Sequence, residues 1–337
     1  MRHWRHRRSL HNRRSELAAV SVGTNRYGYA YDTIGNRLWS AENSVTNSYA
    51  ANSLNQYTQF AYDLDGNMTQ CGGWAYTYDA DNRLKSASSN GVTLVTNFYD
   101  AKSRRVKKVT SEATTTFFYD GWNLIEERIA YTNGTTTTIR YFWGKDLSGT
   151  LQGAGGVGGL LYLTIDGVPY VPNYDNIGNV TRYLDANGNT VAQYTYDVFG
   201  KTIAQTGALA DVFRFRFSTK YFDTETGLYF YGYRFYHPLL MRWINRDPIE
   251  ADWRIPSRCA NLFAYGIVAV LGMTKYPNSY WCVTLCPFTL WKRNVSQGTE
   301  YKVEMHVEVL DRHPCRSEEP EFHESQYEGK DFIYVVR

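Results

Sequence analysis

No run of this 337-residue chain is apolar enough to cross a membrane. A helical span needs about 20 such residues, and the densest patch here is Ile267 to Leu271. A recognisable signal peptide is also missing. The first 14 residues, MRHWRHRRSLHNRR, carry six Arg, but only Leu17-Ala18-Ala19-Val20 follows them. A signal core needs about 7–15 apolar residues. Cysteine is sparse: Cys71, Cys259, Cys282, Cys286 and Cys315 are odd in number and unevenly spaced, which excludes a disulfide framework. Cys282 and Cys286 supply half a zinc site, with only His306, His313 and Cys315 downstream to complete it. No metal and no cofactor is therefore expected. Gly153 to Gly158 spells the dinucleotide fingerprint GxGxxG, but that motif needs a helix behind it. Leu160 to Ile165, followed by Asp166-Gly167, reads as strand and turn, so no nucleotide is expected. Before residue 250 no segment repeats its apolar residues at the helical period.

The formal charge of +3 is concentrated at the start. Without the six leading Arg, the chain has 30 basic residues against 33 acids. Such an arm either grips an anionic polymer or is an unpacked end. The second reading is preferred.

Aromatic residues are in excess, at 16% with 29 Tyr. Tyr, Thr, Val and Phe favour half-buried strands, and Asn and Gly favour the turns between them. Seven Tyr-Asp pairs punctuate the chain: Tyr31-Asp32, Tyr62-Asp63, Tyr78-Asp79, Tyr99-Asp100, Tyr119-Asp120, Tyr174-Asp175 and Tyr196-Asp197. They step by 31, 16, 21, 20, 55 and 22 residues. A recurring step near 21 marks an array whose units bury their apolar faces against one another.

Three units read Tyr-Asp-x-x-Gly-Asn, ending at Gly35-Asn36, Gly66-Asn67 and Gly178-Asn179. Tyr78-Asp79 has Asn82 in the Gly place, and Tyr196-Asp197 reaches Gly200. The Asp carboxylate can accept backbone N–H groups two residues on and hold a turn. The Gly, or Asn82, then takes positive φ. Each unit is thus a hairpin with a loop of three to four residues. The Tyr sits at the strand end, where repetition is expected to stack Tyr beside Tyr across neighbouring strands. Ala192-Gln193-Tyr194-Thr195-Tyr196 alternates with its aromatics on one face.

These units resemble the YD repeats of bacterial Rhs proteins. Tyr141-Phe142-Trp143-Gly144 through Gly159 is similar to a linker typical of that family. Residues 219–250, from TKYFDTETGLYFYGYRFY to RWINRDPIE, are similar to the Rhs repeat-associated core. The resemblance covers roughly residues 15–265. It implies an all-β fold in which consecutive antiparallel hairpins form a curved YD-repeat β-strip, part of a hollow shell, with the core segment as a plug. It implies secretion or a place at the cell surface. The implied partners are upstream Rhs repeats or another shell chain, an immunity protein, and a carbohydrate or cell surface. With few repeats, the chain is expected to form an arc, an open sheet or the end of a shell that other chains complete. The expected division is a basic, disordered leader 1–22, a β-strip 23–205, the core 206–265 and a small variable tail 266–337.

In self-cleaving relatives, two Asp-Pro motifs supply an aspartyl pair that shares a proton. Asp247-Pro248-Ile249-Glu250 matches the start of one, but no second Asp-Pro follows. Asp247 is therefore read as a turn residue, left from an incomplete site. Arg242 and Arg246 read as charges balancing it, and His237 as structural. In the tail, Tyr301 to Val309 alternates like a strand that places Glu304, His306 and Glu308 on one face. Such a trio can do acid–base or metal chemistry, as nucleases do. Exposed strand faces carry such residues routinely, so a solvated face is preferred. Three functions remain in order of preference: a non-catalytic encapsulating segment, a small nuclease-like toxin in the tail, and a carbohydrate or surface-binding module.

Overall fold

The structure, a computed structural model, describes residues 9–12 and 16–245. Beyond these it describes the backbone of the strands Val283–Thr284, Thr289–Val295, Gly298–Glu304 and Glu308–Val309. From Ser9–His11 to Val45–Ser48 the chain forms a five-stranded sheet. From Ala61–Tyr62 to Thr202–Thr206 it forms a 14-stranded one. Each strand pairs with its neighbours in sequence, and the pairing is antiparallel throughout. The fold is an all-β ribbon of hairpins.

Two kinds of turn alternate along it. Short Gly-rich turns join one pair of strands, as at Asn90-Gly91 (φ 48° and 81°) and Asp166-Gly167 (φ 48° and 87°). Both central residues take positive φ, which matches the right-handed twist of the flanking strands. The next pair is joined by an Asp-initiated turn, as at Asp63–Asn67 and Asp79–Arg83. Where the two kinds alternate, each falls on its own rim of the ribbon, whereas at Asp175, Asp185 and Asp197 three Asp-initiated turns follow one another and occupy both rims. Two strands plus one turn of each kind account for the step near 21 residues.

Side chains alternate across the ribbon as strand geometry requires. In Thr190–Tyr196, Ala192, Tyr194 and Tyr196 are buried while Gln193 and Thr195 are exposed. The buried face is concave and is filled by the segment after the ribbon. There Tyr221–Asp223, Leu228–Phe230, Phe235–His237 and Arg242–Trp243 make a four-stranded meander. One apolar core runs from Met68, Tyr76 and Leu84 on the ribbon to Phe213, Tyr229, Tyr236 and Ile244 on the insert. Tyr183 stacks on Phe213 with centroids 3.9 Å apart. Each ring buried so completely contributes about 2–3 kcal/mol of transfer free energy.

The ribbon's two ends meet. Val20, Val22, Tyr27 and Tyr29 of the first sheet enclose Val198, Phe199 and Ile203 from its last hairpin. Lys201 Nζ lies 2.7 Å from Glu42 Oε2 across the same seam. The expected arc therefore curls far enough for its ends to touch, although no strand pairing joins the two sheets. The leader also differs from expectation. Leu17–Val22 is a paired strand, ordered by the burial of Val20 and Val22.

The tail strands pair in two separate sheets. Gly298–Glu304 pairs with Thr289–Val295, whereas Glu308–Val309 pairs with Val283–Thr284 in another sheet. Glu304 and Glu308 thus pair with different strands, and His306 lies outside the described residues.

Tyr196, buried, donates its hydroxyl to the Val180 carbonyl at 2.8 Å. Tyr196→Phe strands that acceptor and is expected to cost about 1–2 kcal/mol in urea unfolding. Tyr162→Phe, on the exposed face, should change stability by less than about 0.5 kcal/mol. Equal effects would remove the hydroxyl from its structural role.

Candidate functional site

The site is the concave face, and its edge is built by the Asp turns. Asp32 Oδ1 accepts the N–H groups of Ile34 (3.0 Å) and Asn36 (2.8 Å), while Asn36 Nδ2 donates to Oδ2 at 2.8 Å. Asp175 repeats this with Ile177 (3.1 Å) and Asn179 (2.9 Å). Asp63 holds Asn67 in the same way. Asp79 and Asp100 hold Arg83 and Arg104, whose Nε atoms donate to Oδ2 at 2.7 and 2.8 Å. Asp197 holds Phe199 and Lys201. The register sets Tyr62 opposite Met68 and Tyr78 opposite Leu84, so the loops have five residues, longer than the spacing suggested. The fourth residue takes positive φ: Gly35, Gly66, Asn82, Ser103, Gly178 and Gly200. At Gly200 a Cβ would also come within 2.5 Å of the Phe217 ring, so the turn and the insert touch only because the side chain is absent.

The repeat tyrosines are ordered by their hydroxyls rather than by the expected stacking of Tyr on Tyr. Tyr78, Tyr99, Tyr119 and Tyr196 donate to the carbonyls of Met68, Leu84, Arg105 and Val180. Each acceptor is the first residue after the Asp turn of the preceding unit. Tyr62 keeps the position but accepts, from Tyr57 N–H. The rings of Tyr99 and Tyr119 are instead covered by the turn arginines Arg83 and Arg104, at 5.1 and 5.4 Å. Those arginines also donate to the next turn, at Asp100 O and Gly121 O.

Sequence spacing hid several units. Between Asp120 and Tyr174 the ladder continues through Trp143, whose indole N–H donates to Leu124 O at 2.7 Å. Tyr174 then donates to Leu160 O. Asn52 and Asp185 build the same turn without a preceding Tyr, holding Leu54 and Gln56, and Asn187 and Asn189. The spacing Asp/Asn-x-x-Gly/Asn-Asn/Gln would have found both. Asp120 departs from the pattern. It pairs with Asn123 across the two-residue turn Gly121-Trp122, and Gln152 clamps that turn through Asp120 O and Trp122 N–H.

The glycine-rich segment is a cradle already filled. Asp146 Oδ2 accepts the N–H groups of Ala154 (2.7 Å) and Gly156 (3.0 Å), and Oδ1 accepts that of Ser148. Backbone N–H groups of this kind can hold an anion; here the anion belongs to the chain.

Buried charge fixes the insert on the ribbon. Arg105 NH1 lies 2.5 Å from Asp223 Oδ2, with both side chains 1% exposed. Lys108 Nζ reaches Asp223 Oδ1 and Glu225 Oε1, each at 3.0 Å. Burial alone would push the Asp223 carboxyl up, but Arg105 and Lys108 outweigh it and hold the group down at about 2. Four rings surround the Arg105 guanidinium: Phe117, Tyr221, Phe230 and Phe235. Glu127 accepts from Tyr221 (2.8 Å) and Tyr141. None of these partners was legible in the sequence, where only an inward position in an alternating strand distinguishes them. At the seam, Asp197 is pushed up to about 6 by burial, against the backbone bonds that it accepts. His237 is held down at about 4 by burial. Arg242 lies over the Tyr57 ring at 3.9 Å and donates to Asn55 O. Asp247 and Arg246 lie outside the described residues.

Between ribbon and insert is a cavity of about 210 Å³, lined by Trp122, Trp143, Tyr231, Tyr233, Trp243 and Lys220 among others. Among the described residues, no group of three His, Cys, Asp or Glu is arranged to hold a metal ion. Among them also, no helix is long and apolar enough to cross a membrane.

The family model described as Teneurin YD-shell matches residues 5–266. The chain is 32% identical over 235 residues to the tRNA3(Ser)-specific nuclease WapA of Bacillus spizizenii, covering 65% of this chain and 9% of that protein. It is 27% identical over 257 residues to the double-stranded DNA deaminase toxin A of Burkholderia cenocepacia, covering 66% and 17%. Among solved structures, it resembles the TcdB2-TccC3-Cdc42 crystal structure with a TM-score of 0.60 and 17% identity, over 79% of this chain and 15% of that one. It also resembles the Photorhabdus luminescens Tc holotoxin pore with a TM-score of 0.59 and 18% identity, over 76% and 14%. The chain spans less than a fifth of each of these proteins. At such identities the structures speak for the fold.

Asp175→Ala removes two backbone bonds and the Asn179 contact, and is expected to cost about 2 kcal/mol. Asp120→Ala should cost less than about 0.5 kcal/mol; similar losses by chemical denaturation would refute the distinction. Because Asp223 is depressed in the fold, its stabilisation is present above the unfolded value near 4. As pH falls from about 4 to about 2, roughly 2–3 kcal/mol should be lost. An acid titration followed by tryptophan fluorescence and far-ultraviolet circular dichroism should show the loss in that window. Stability unchanged down to pH 2 would contradict it.

Proposed function

We propose that this chain, which belongs to the Teneurin YD-shell family, is the closing end of a β-strip shell. It acts as a wall and plug without catalysis of its own, carrying or displaying the segment beyond its core. The observation that carries this reading is the reach of the insert. Residues 207–245 bond to the first sheet through Arg37 and Leu240. They bond to the middle of the ribbon through Met68 N–H and Ile244 O (2.8 Å). They bond to its far end through Tyr236 and Phe199 O (2.7 Å). One short segment thus ties the whole curved wall together, and it is the last described part before the tail.

Shell growth is supported by the open edges. Ser9–His11 and Thr202–Thr206 each end a sheet, and a strand edge offers unpaired N–H and C=O groups to a further strand. Upstream repeats or another shell chain fit that need, at the cell surface or outside the cell.

A second reading makes the tail, residues 266–337, a payload. Its support is that the family match stops at residue 266 and that relatives carry the names nuclease and deaminase toxin. Such a payload calls for an immunity protein.

Intact mass and growth separate these readings. The purified full chain should keep its full mass on prolonged incubation, and its expression in bacteria should leave growth unchanged. A cut near residue 265 would remove the non-catalytic part of the proposal. Growth arrest relieved by His306→Ala would put the payload reading first.

A further inference from the structure

The cavity between ribbon and insert contains one amine that the shell reading does not use. Lys220 follows the one-turn helix Phe217–Thr219 and lines the cavity. Its Nζ donates to a neutral group, the Gly155 carbonyl, at 2.5 Å. The Tyr231 ring lies 5.4 Å from it. Of the other cations lining this space, Arg105 is tied to Asp223 and Arg234 lies over the Trp243 ring at 4.0 Å. Asp146 acts on Lys220 too weakly to offset burial, which pushes its ammonium down to about 8. A lysine held this way has free amine near neutral pH, as Schiff-base lysines do. Trp122, Trp143, Tyr231, Tyr233 and Trp243 supply flat walls beside it. At about 210 Å³ the space is below the roughly 300–1,000 Å³ of sites for drug-sized ligands, so it suits a single ring.

We propose that Lys220 is a nucleophilic amine, and that the cavity beside it takes a small aromatic aldehyde or ketone and holds it as an imine. The amine lone pair attacks the carbonyl carbon, and the C=O π pair moves to oxygen, which takes a proton. Loss of water then leaves a C=N bond to Nζ. No oxidant or reductant is needed. Asp146 on the glycine-rich loop acts on this nitrogen, the Tyr231 ring of the insert lies 5.4 Å from it, and Arg234 of the insert and Arg105 and Tyr119 of the ribbon line the same cavity. Asp146 opposes formation of the free amine, and burial favours it. The proposal stands apart from the shell reading, since a wall needs no reactive amine.

The test treats the full chain with salicylaldehyde, traps imines with borohydride and maps the labelled peptides by mass. Lys220 should label at least about tenfold faster at pH 7 than the exposed Lys85, Lys102 and Lys145. Its rate should rise through pH 8 and then level. Equal rates, or a Lys220 rate still climbing at pH 10, would overturn the proposal. Lys220→Arg keeps a cation at the loop and should abolish the fast label alone; a fast label elsewhere in that variant refutes the assignment. Propanal should show no preference for Lys220. If it labels Lys220 as selectively as salicylaldehyde does, the aromatic part of the proposal is wrong.

Discussion

The structure depends on one repeated arrangement of polar atoms. A carboxylate or amide at the end of a strand accepts two backbone N–H groups and bends the chain back. The first residue of the returning strand then offers its carbonyl to the tyrosine hydroxyl of the next unit. The first interaction is local and sets the hairpin. The second reaches the neighbouring hairpin and sets its position. A buried carbonyl left without a donor costs about 1–3 kcal/mol, so each latch disfavours slippage of one hairpin past another. Trp143 shows that the requirement is for a donor at that place, since an indole N–H serves as well as a phenol.

A ribbon built this way still has an apolar concave face, and a neighbouring unit cannot cover it. Here the insert does, through rings and through the Arg105–Asp223–Lys108 group. A buried ion pair adds little net stability compared with apolar packing, but losing one partner costs about 3–5 kcal/mol. Its effect is therefore to choose one placement of the insert over others. The contact between Glu42 and Lys201 does the same less strictly at the seam, where both side chains are partly exposed.

Much of the ribbon was legible because its signals are local. Asp32, Asp63 and Asp175 act within four residues of themselves, and the alternation in Thr190–Tyr196 reports which face is buried. The readings that went astray involve distance. Tyr beside Tyr suggested stacking, whereas the hydroxyl of Tyr99 serves a carbonyl 15 residues away. The 55-residue gap looked like an interruption until Trp143 and Leu160 proved to continue the ladder. Asp120 shares its dipeptide with the other units, yet Gln152 takes over its turn from 32 residues away.

By itself the sequence determined an all-β array of hairpins, the Asp turns that close most of them, and the family to which the array belongs. These follow from side chains that bond their own backbone and from a period of two along each strand. Only the tertiary structure decided how far the ribbon curls, which charges meet beneath the insert, and that the glycine-rich loop binds its own Asp146. Each of these joins groups far apart in the chain. Whether they meet depends on the accumulated twist of many strands, which no local pattern of residues records.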